Sequence, residues 1–505
     1  MASWQYREAA KAHPQAAYTA LVKSVQCEWQ FLQRTVEGCG HWFKPIEEAL
    51  SARLLPALLQ VPTISPEERR LIALPVRFGG LGIVDPTRTA SAAFATSQAA
   101  TRHLREAIRG AAPLRLAEHR AAMQKARADF KAQKEKECVA ELAGLTAAMP
   151  VEQQRAVQRA VKHKTGAWLT VMPTARNGNQ LCANEWRDGI AFRYGWEPRD
   201  LQPRCDGCGE QFDADHALKC RKGGLIIRRH NEVVGELQRL AEMHWPKTVL
   251  EPVIRDGNPS LPEGHAERDG LVGDLLIRGG VFSAQTDAII DVQVIYLNAP
   301  SRMRRGQGAG SSGRGRTRRP PDAAIAGGGG EGAAVDAATQ PVPSGASAAD
   351  PAAPAATVAG SCGSKGGEMA VGGGEGACGT CAASMELQHL LETADHAAVI
   401  LRAQEKGKES KHKTACEATR RDFVPFIVST DGCLGEAAQS LLRRLSRRLA
   451  DKWQRAYSHV FGFIKARMSI AILRASSQCM RGARTRVQGG VCVMEDGAAL
   501  DVARL

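Results

Sequence analysis

Apolar residues recur at helical intervals through the first third of the chain. In QAAYTALVKSVQCEWQFLQRTV (15–36), Tyr18, Leu21, Val22, Val25, Trp29 and Leu32 form one stripe at three- and four-residue spacing, and 116–145 is rich in Ala, Lys, Glu and Arg. The pattern predicts an all-helical region from residue 1 to about 170. One interruption, LPVRFGGLGIVDP (74–86), carries Gly79, Gly80, Gly82 and Pro86 and predicts a tight turn with close backbone packing.

Downstream the period changes. RRHNEVVGELQRLAEMH (228–244) predicts an amphipathic helix with Val233, Val234, Leu237, Leu240 and Ala241 inward. TVLEPVI (248–254), LVGDLLIRG (271–279) and TDAIIDVQVIY (286–296) predict three neighbouring strands. Residues 300–384 are Gly, Ala, Pro and Ser with almost no large apolar side chain, so burial cannot offset their ordering entropy and a disordered insert is expected. Helix-like 385–418 follows, then the β-rich FVPFIVST (423–430), then a helical stretch carrying Arg443, Arg444, Arg447 and Arg448. The resulting class is α+β, with an α/β module in the C-terminal half. The tail 443–486 predicts helices with one apolar and one basic face that pack on the core and track a phosphate backbone.

Charge adds a partner to this picture. Among 505 residues, 67 Lys and Arg against 53 Asp and Glu give a net charge of +14, which favours a polyanion through counterion release. The charged N-terminus resembles no signal peptide and no 18-residue apolar run occurs, so a soluble, intracellular chain without membrane contact is expected. The cysteines show no disulfide-framework spacing apart from one cluster. Cys378 and Cys381 form a lone C-x2-C pair inside the insert, and the arginine cluster at 302–319 lies there too.

That cluster is Cys205-x2-Cys208-x7-His216-x3-Cys220. Three thiolates and one imidazole close a tetrahedral zinc shell with no place for water, which predicts a structural Zn2+ knuckle. Asp206, Gly207 and Gly209 supply its turn chemistry. Further on, Asp291 interrupts the run Ile289-Ile290 and Val292, Val294, Ile295, where a charge is expensive unless it is employed, and Asp274 stands at the start of the preceding strand. Two such acids can hold a Mg2+ ion for phosphodiester hydrolysis, with a lysine to stabilise the developing charge. Asp291-Val292-Gln293 lacks a lysine two residues after the acid, so EKGKESKHK (405–413) offers Lys408 or Lys411 from a helix.

The knuckle, Gly223-Gly224 followed by Arg229-His230, the Glu251-Pro252 pair, the two aspartates and the lysine-rich helix together resemble the C-terminal restriction-like endonuclease of site-specific non-LTR retrotransposons. LPVRFGGLGIVDP and NEWRDGIAFRYG (184–195) are similar to the thumb and linker that join the reverse transcriptase to that nuclease. The resemblance implies a thumb-like remnant at 1–110, a helical linker at 111–204, a CCHC knuckle at 205–223, a PD-(D/E)xK-like core from 224–299 and 385–440 around the insert at 300–384, and basic helices at 441–505. It implies target-primed reverse transcription in the nucleus, in which the nuclease nicks target DNA and a polymerase extends the nick on the element's RNA. Asp274 and Asp291 match the metal-binding acids, with Asp269 a rival for the first, and Lys408 or Lys411 the catalytic lysine. Glu251 is added as a further catalytic candidate. Arg228, Arg229, His230, Arg443, Arg444, Arg447 and Arg448 would contact nucleic acid, while Trp186, Tyr194 and Trp196 suit packing, or else base stacking, in the linker. The polymerase's paired aspartates are missing and His412 stands where the family often has tyrosine. The chain is therefore expected to be the back half of a longer reading frame, its polymerase supplied by the rest of that frame or by a separate chain. The other reading is a decayed copy, a zinc-knuckle protein that grips nucleic acid and cuts nothing.

Overall fold

The computed structural model describes residues 2–258, 260–262, 268, 270–283, 286–299 and 395–485. The expected insert at 300–384, with its arginine cluster and its C-x2-C pair, lies outside them, as do Asp269 and residues 486–505. Among the described residues the chain is mostly helical with a small mixed sheet, in keeping with the α+β class. None of these helices is long and apolar enough to cross a membrane.

The N-terminal helices run as predicted, with one difference that relocates a face. A π-turn at Leu21–Val25 separates helices Pro14–Ala20 and Gln26–Thr35. The extra residue in that turn shifts the stripe beyond it. Tyr18, Leu21 and Trp29 are buried, but Leu32 is exposed and Gln26 and Gln33 take the inward places. The two glutamines serve the glycine loop. Gln26 Nε2 donates to the Gly82 carbonyl at 3.1 Å and its Oε1 accepts from Val84 N at 2.9 Å, while Gln33 Nε2 donates to the Pro86 carbonyl at 2.6 Å.

The same loop is held from its other side by buried Arg193, which donates to the carbonyls of Gly79, Val76 and Gly80 at 3.0, 2.7 and 3.2 Å. The glycines therefore serve close packing. A Cβ on Gly80 would stand 1.9 Å from the Leu74 carbonyl oxygen, a backbone atom that cannot swing aside. Gly80→Ala is expected to destabilise the chain by about 3 kcal/mol, measurable by urea unfolding, whereas Gly110→Ala, where no atom lies within 4 Å of a new Cβ, should cost only the strain of its positive φ. Trp186 and Tyr194 are buried in the same core, the packing role expected of them.

Helices Pro86–Ile108 and Leu116–Ala148 pair as a long hairpin, so the boundary drawn between 110 and 111 falls in its loop. One apolar core unites the N-terminal helices, the 205–225 segment and Ile470, Leu473, Cys479 and Met480 from the far end of the chain.

The C-terminal half begins with the leading helix Leu225–Glu242, whose five predicted inward residues are all buried. Three predicted strands become five, β1 (Thr248–Leu250), β2 (Val253–Arg255), β3 (Leu271–Val272), β4 (Leu275–Ile277) and β5 (Asp287–Ile295). Glu251 at φ +49° and Pro252 break the first, and Gly273-Asp274 break the second. The crossover helix His396–Ala418 then leads to β6 (Arg421–Ser429). The main sheet has the order β1-β4-β5-β6, antiparallel except for β5 and β6, which run parallel because a helix connects them; β2 and β3 form a separate ribbon. Helix Glu436–Trp453 and the buried helix Tyr457–Arg481 complete the sheet's covering layer.

The buried helix corrects the expectation of a basic outer face. Arg467 pairs with Glu236 at 2.7 Å, Arg481 with Asp188 at 2.7 Å, and fourteen of the helix's residues are buried. These two cations neutralise internal acids, Lys465 and Arg474 reach the Lys164 and Gln180 carbonyls, and the exposed arginines of the tail lie on helix Glu436–Trp453 and at Arg455.

Candidate functional site

The Cys205–Cys220 segment is built as a turn followed by a helical hook. Arg204 and Gln211 pair as an antiparallel bridge, Cys205 N donates to the Glu210 carbonyl at 2.8 Å, and Gly209, at φ +79°, returns a bond from its N to the Cys205 carbonyl at 2.8 Å. Asp213 caps the short helix Ala214–Ala217 by accepting from His216 N at 2.7 Å, and Cys220 N donates to the His216 carbonyl at 2.8 Å. The four donor atoms lie within 4.8 Å of one another, so this Cys3His group could hold a metal ion, and its donor chemistry suits structural zinc. Burial pushes the Cys205 thiol up, but N–H groups of Gly207 and Cys208 together with His216 outweigh it and bring it down to about 6, toward the thiolate a metal needs.

Behind the hook sits Arg484, a residue with no sequence signal of its role. Its guanidinium lies 4.7 Å over the Phe212 ring and donates to the Ala217 carbonyl at 3.1 Å, and its backbone N donates to Asp206 Oδ2 at 2.6 Å. A Cβ on Gly207 would meet the Arg484 Cβ at 2.8 Å, so glycine is what lets the two strands of chain approach.

The second site depends on the alternation of β5. Ala288, Ile290 and Val292 face the apolar core shared with the leading and buried helices, which leaves Ile289, Asp291 and Gln293 toward the crossover helix. That helix meets them with residues four apart. Gln404 accepts from Gln293 Nε2 at 3.1 Å, Lys408 Nζ stands 3.1 and 2.9 Å from the two Asp291 oxygens, His412 Nε2 stands 3.2 Å from Asp291 Oδ2, and Cys416 joins Ile289 in a small apolar cluster. Lys408 is thus the lysine brought to the acid. Lys411 is exposed on another face of the helix.

Asp274 arrives from the break before β4. Its N donates to the Ile290 carbonyl at 3.0 Å, its Oδ2 accepts from Val292 N at 2.5 Å, and its Oδ1 pairs with His230 Nε2 of the leading helix at 3.1 Å. The two aspartates are near enough to shift each other's titration. Burial raises both. For Asp274 the His230 bond and charge and the Val292 N–H outweigh it, and the pKa falls below the usual carboxylate range. For Asp291 burial and the Asp274 charge outweigh Lys408, and the pKa rises. The two neighbouring carboxyls are thus shifted in opposite directions, an asymmetry that a shared cation or an acid–base pair exploits. His412 lies flat against Phe423, ring centroids 5.3 Å apart, and burial with Lys411 and Lys408 pushes its pKa down to about 4, so its ring is neutral at pH 7.

The remaining candidates divide. Glu251 touches the site only through its backbone, whose N donates to the Asp274 carbonyl at 3.1 Å, and its side chain is exposed. Arg229, expected at a phosphate, is instead buried and donates to the Leu218 carbonyl at 3.2 Å, tying the leading helix to the Cys3His hook. His230, expected at nucleic acid, faces Asp274. Arg228, Arg443, Arg447 and Arg448 are exposed, while Arg444 is half-buried over the Phe282 ring at 4.8 Å. In the sequence His412 stands out only as the residue where the resembled family often has tyrosine. Compared with known proteins, the chain matches no family model and no curated protein sequence.

Proposed function

We propose that this chain is a Mg2+-dependent DNA endonuclease of the restriction-like class, the nicking module of a non-LTR retrotransposon, joined to a thumb-like helical region and a zinc knuckle. The observation that carries the reading is the meeting of Asp274, Asp291 and Lys408 beside β5. Three strands, a crossover helix and a parallel fourth strand surround them, an order compatible with a PD-(D/E)xK-like core. The donor set of two carboxylates and a buried imidazole, both of whose ring nitrogens lack a hydrogen bond, suits a divalent cation. A cation bound there supplies positive charge at the phosphate and an acidified water. Asp274 and Asp291 would hold and orient it, and Lys408 would release Asp291 to balance charge developing on the phosphate. Arg228, Arg443, Arg447 and Arg448 would contact phosphates, and the knuckle would grip DNA or RNA. The partners on this reading are target DNA and element RNA in the nucleus, with the polymerase supplied in cis or in trans.

One observation favours the decayed, binding-only reading: Lys408 lies within ion-pair distance of both Asp291 oxygens, so the acid has a neutralising partner within the fold. Two lysine variants test the assignment. Lys408→Met should lower plasmid nicking by about a hundredfold or more, and Lys411→Met should leave it within about twofold. Loss confined to Lys411→Met would overturn the choice of lysine.

A further inference from the structure

We infer that His412 is a ligand of the Asp274–Asp291 centre and makes it prefer a divalent transition cation, Mn2+ above all, to Mg2+. The inference rests on the two aspartates being cation ligands, and adds to that reading which ion they take. His412 is 3% exposed, and neither ring nitrogen makes a hydrogen bond. A buried imidazole with both nitrogens unpartnered is costly unless something occupies them. Its Nε2 faces Asp291 Oδ2 across 3.2 Å, and the other neighbour of that oxygen is Lys408 Nζ at 2.9 Å, on a side chain 27% exposed that can turn to water when an ion enters. Two donors bound side by side to one ion, each at about 2.1 Å, stand about 3 Å apart, so the pair is spaced as neighbouring ligands are. The ring is held in place by its stack on Phe423, with planes 11° apart, and by the helix position four residues after Lys408. Carboxylates alone suit Mg2+, whereas an added imidazole nitrogen shifts a site toward Mn2+, Co2+ and their neighbours, because Mg2+ binds nitrogen poorly.

The test is Mn2+ titration of the zinc-loaded full chain, followed by loss of the free-ion electron paramagnetic resonance signal, with Mg2+ as competitor. Zinc in the Cys3His group keeps the probe from the thiolates. The wild type should bind Mn2+ at least about tenfold more tightly than Mg2+. His412→Phe, which keeps the ring stack and removes only the donors, should lower Mn2+ affinity about tenfold and leave Mg2+ affinity within about twofold. If His412→Phe does not fold, His412→Gln serves, since its oxygen retains Mg2+ and loses the preference. Equal wild-type affinities, or a preference that survives in whichever variant folds, would overturn the inference. A chain that binds Mn2+ in this manner and cuts no DNA keeps the ligand assignment and loses the nuclease reading; a chain that cuts in Mg2+ and shows no Mn2+ preference does the reverse.

Discussion

Asp291→Ala leaves supercoiled plasmid uncut, with a nicking rate at least about a thousandfold below wild type, the equivalent of about 4 kcal/mol of transition-state stabilisation. The chain should nonetheless fold. Asp291 is buried at the cost of a raised pKa, so its charge is a poor contributor to stability, and its main partner Lys408 is 27% exposed and can turn to water. Thermal midpoint and DNA affinity should therefore stay close to wild type while cleavage disappears. Asp274→Ala is a less clean probe, because it also strips the acceptor from Val292 N and the partner from His230. A variant at Asp291 that cuts at the wild-type rate would remove this carboxylate from the chemistry.

Withdrawing metal from the Cys3His group, by chelation or by Cys220→Ser, should open the 205–223 segment and free the Arg484 end of the chain with it. The hook has few apolar side chains beyond Phe212, Ala217 and Leu218, which dock on the helical core, so a bound ion would supply much of its local folding free energy. Limited proteolysis should then cut between residues 205 and 224 at least about tenfold faster, while amides of β4, β5 and β6 keep their protection, since that sheet packs in a separate core. An unchanged cleavage pattern after complete metal removal would show that the segment folds without a metal.

Helical period, the C-x2-C spacing and a lone aspartate inside an apolar strand are local signals, and each led to the right element or cluster. What stayed hidden depends on contacts between distant residues. The π-turn that brings Gln26 and Gln33 inward has no periodic signature, and the Gly82–Pro86 loop that those glutamines bond is far from them in sequence. Lys408 and Lys411 are equivalent on a helical wheel until the helix is laid on β5, where Gln404, Lys408 and His412 share the face toward Gln293 and Asp291. Runs of arginine read as a binding surface, yet Arg229, Arg467, Arg481 and Arg484 are spent on carbonyls and acids within the fold. Charge counts alone cannot separate the two uses, since a buried arginine with its partner and an exposed one look the same in a sequence.

On the proposed reading, two acids and a lysine beside β5 break a phosphodiester bond. The most direct test is conversion of supercoiled plasmid to the open circle by the zinc-loaded wild-type chain after addition of Mg2+ or Mn2+. Open circles that accumulate with time, and only when the divalent ion is present, are the predicted result; plasmid that is bound tightly yet stays supercoiled at every concentration of either ion would contradict it.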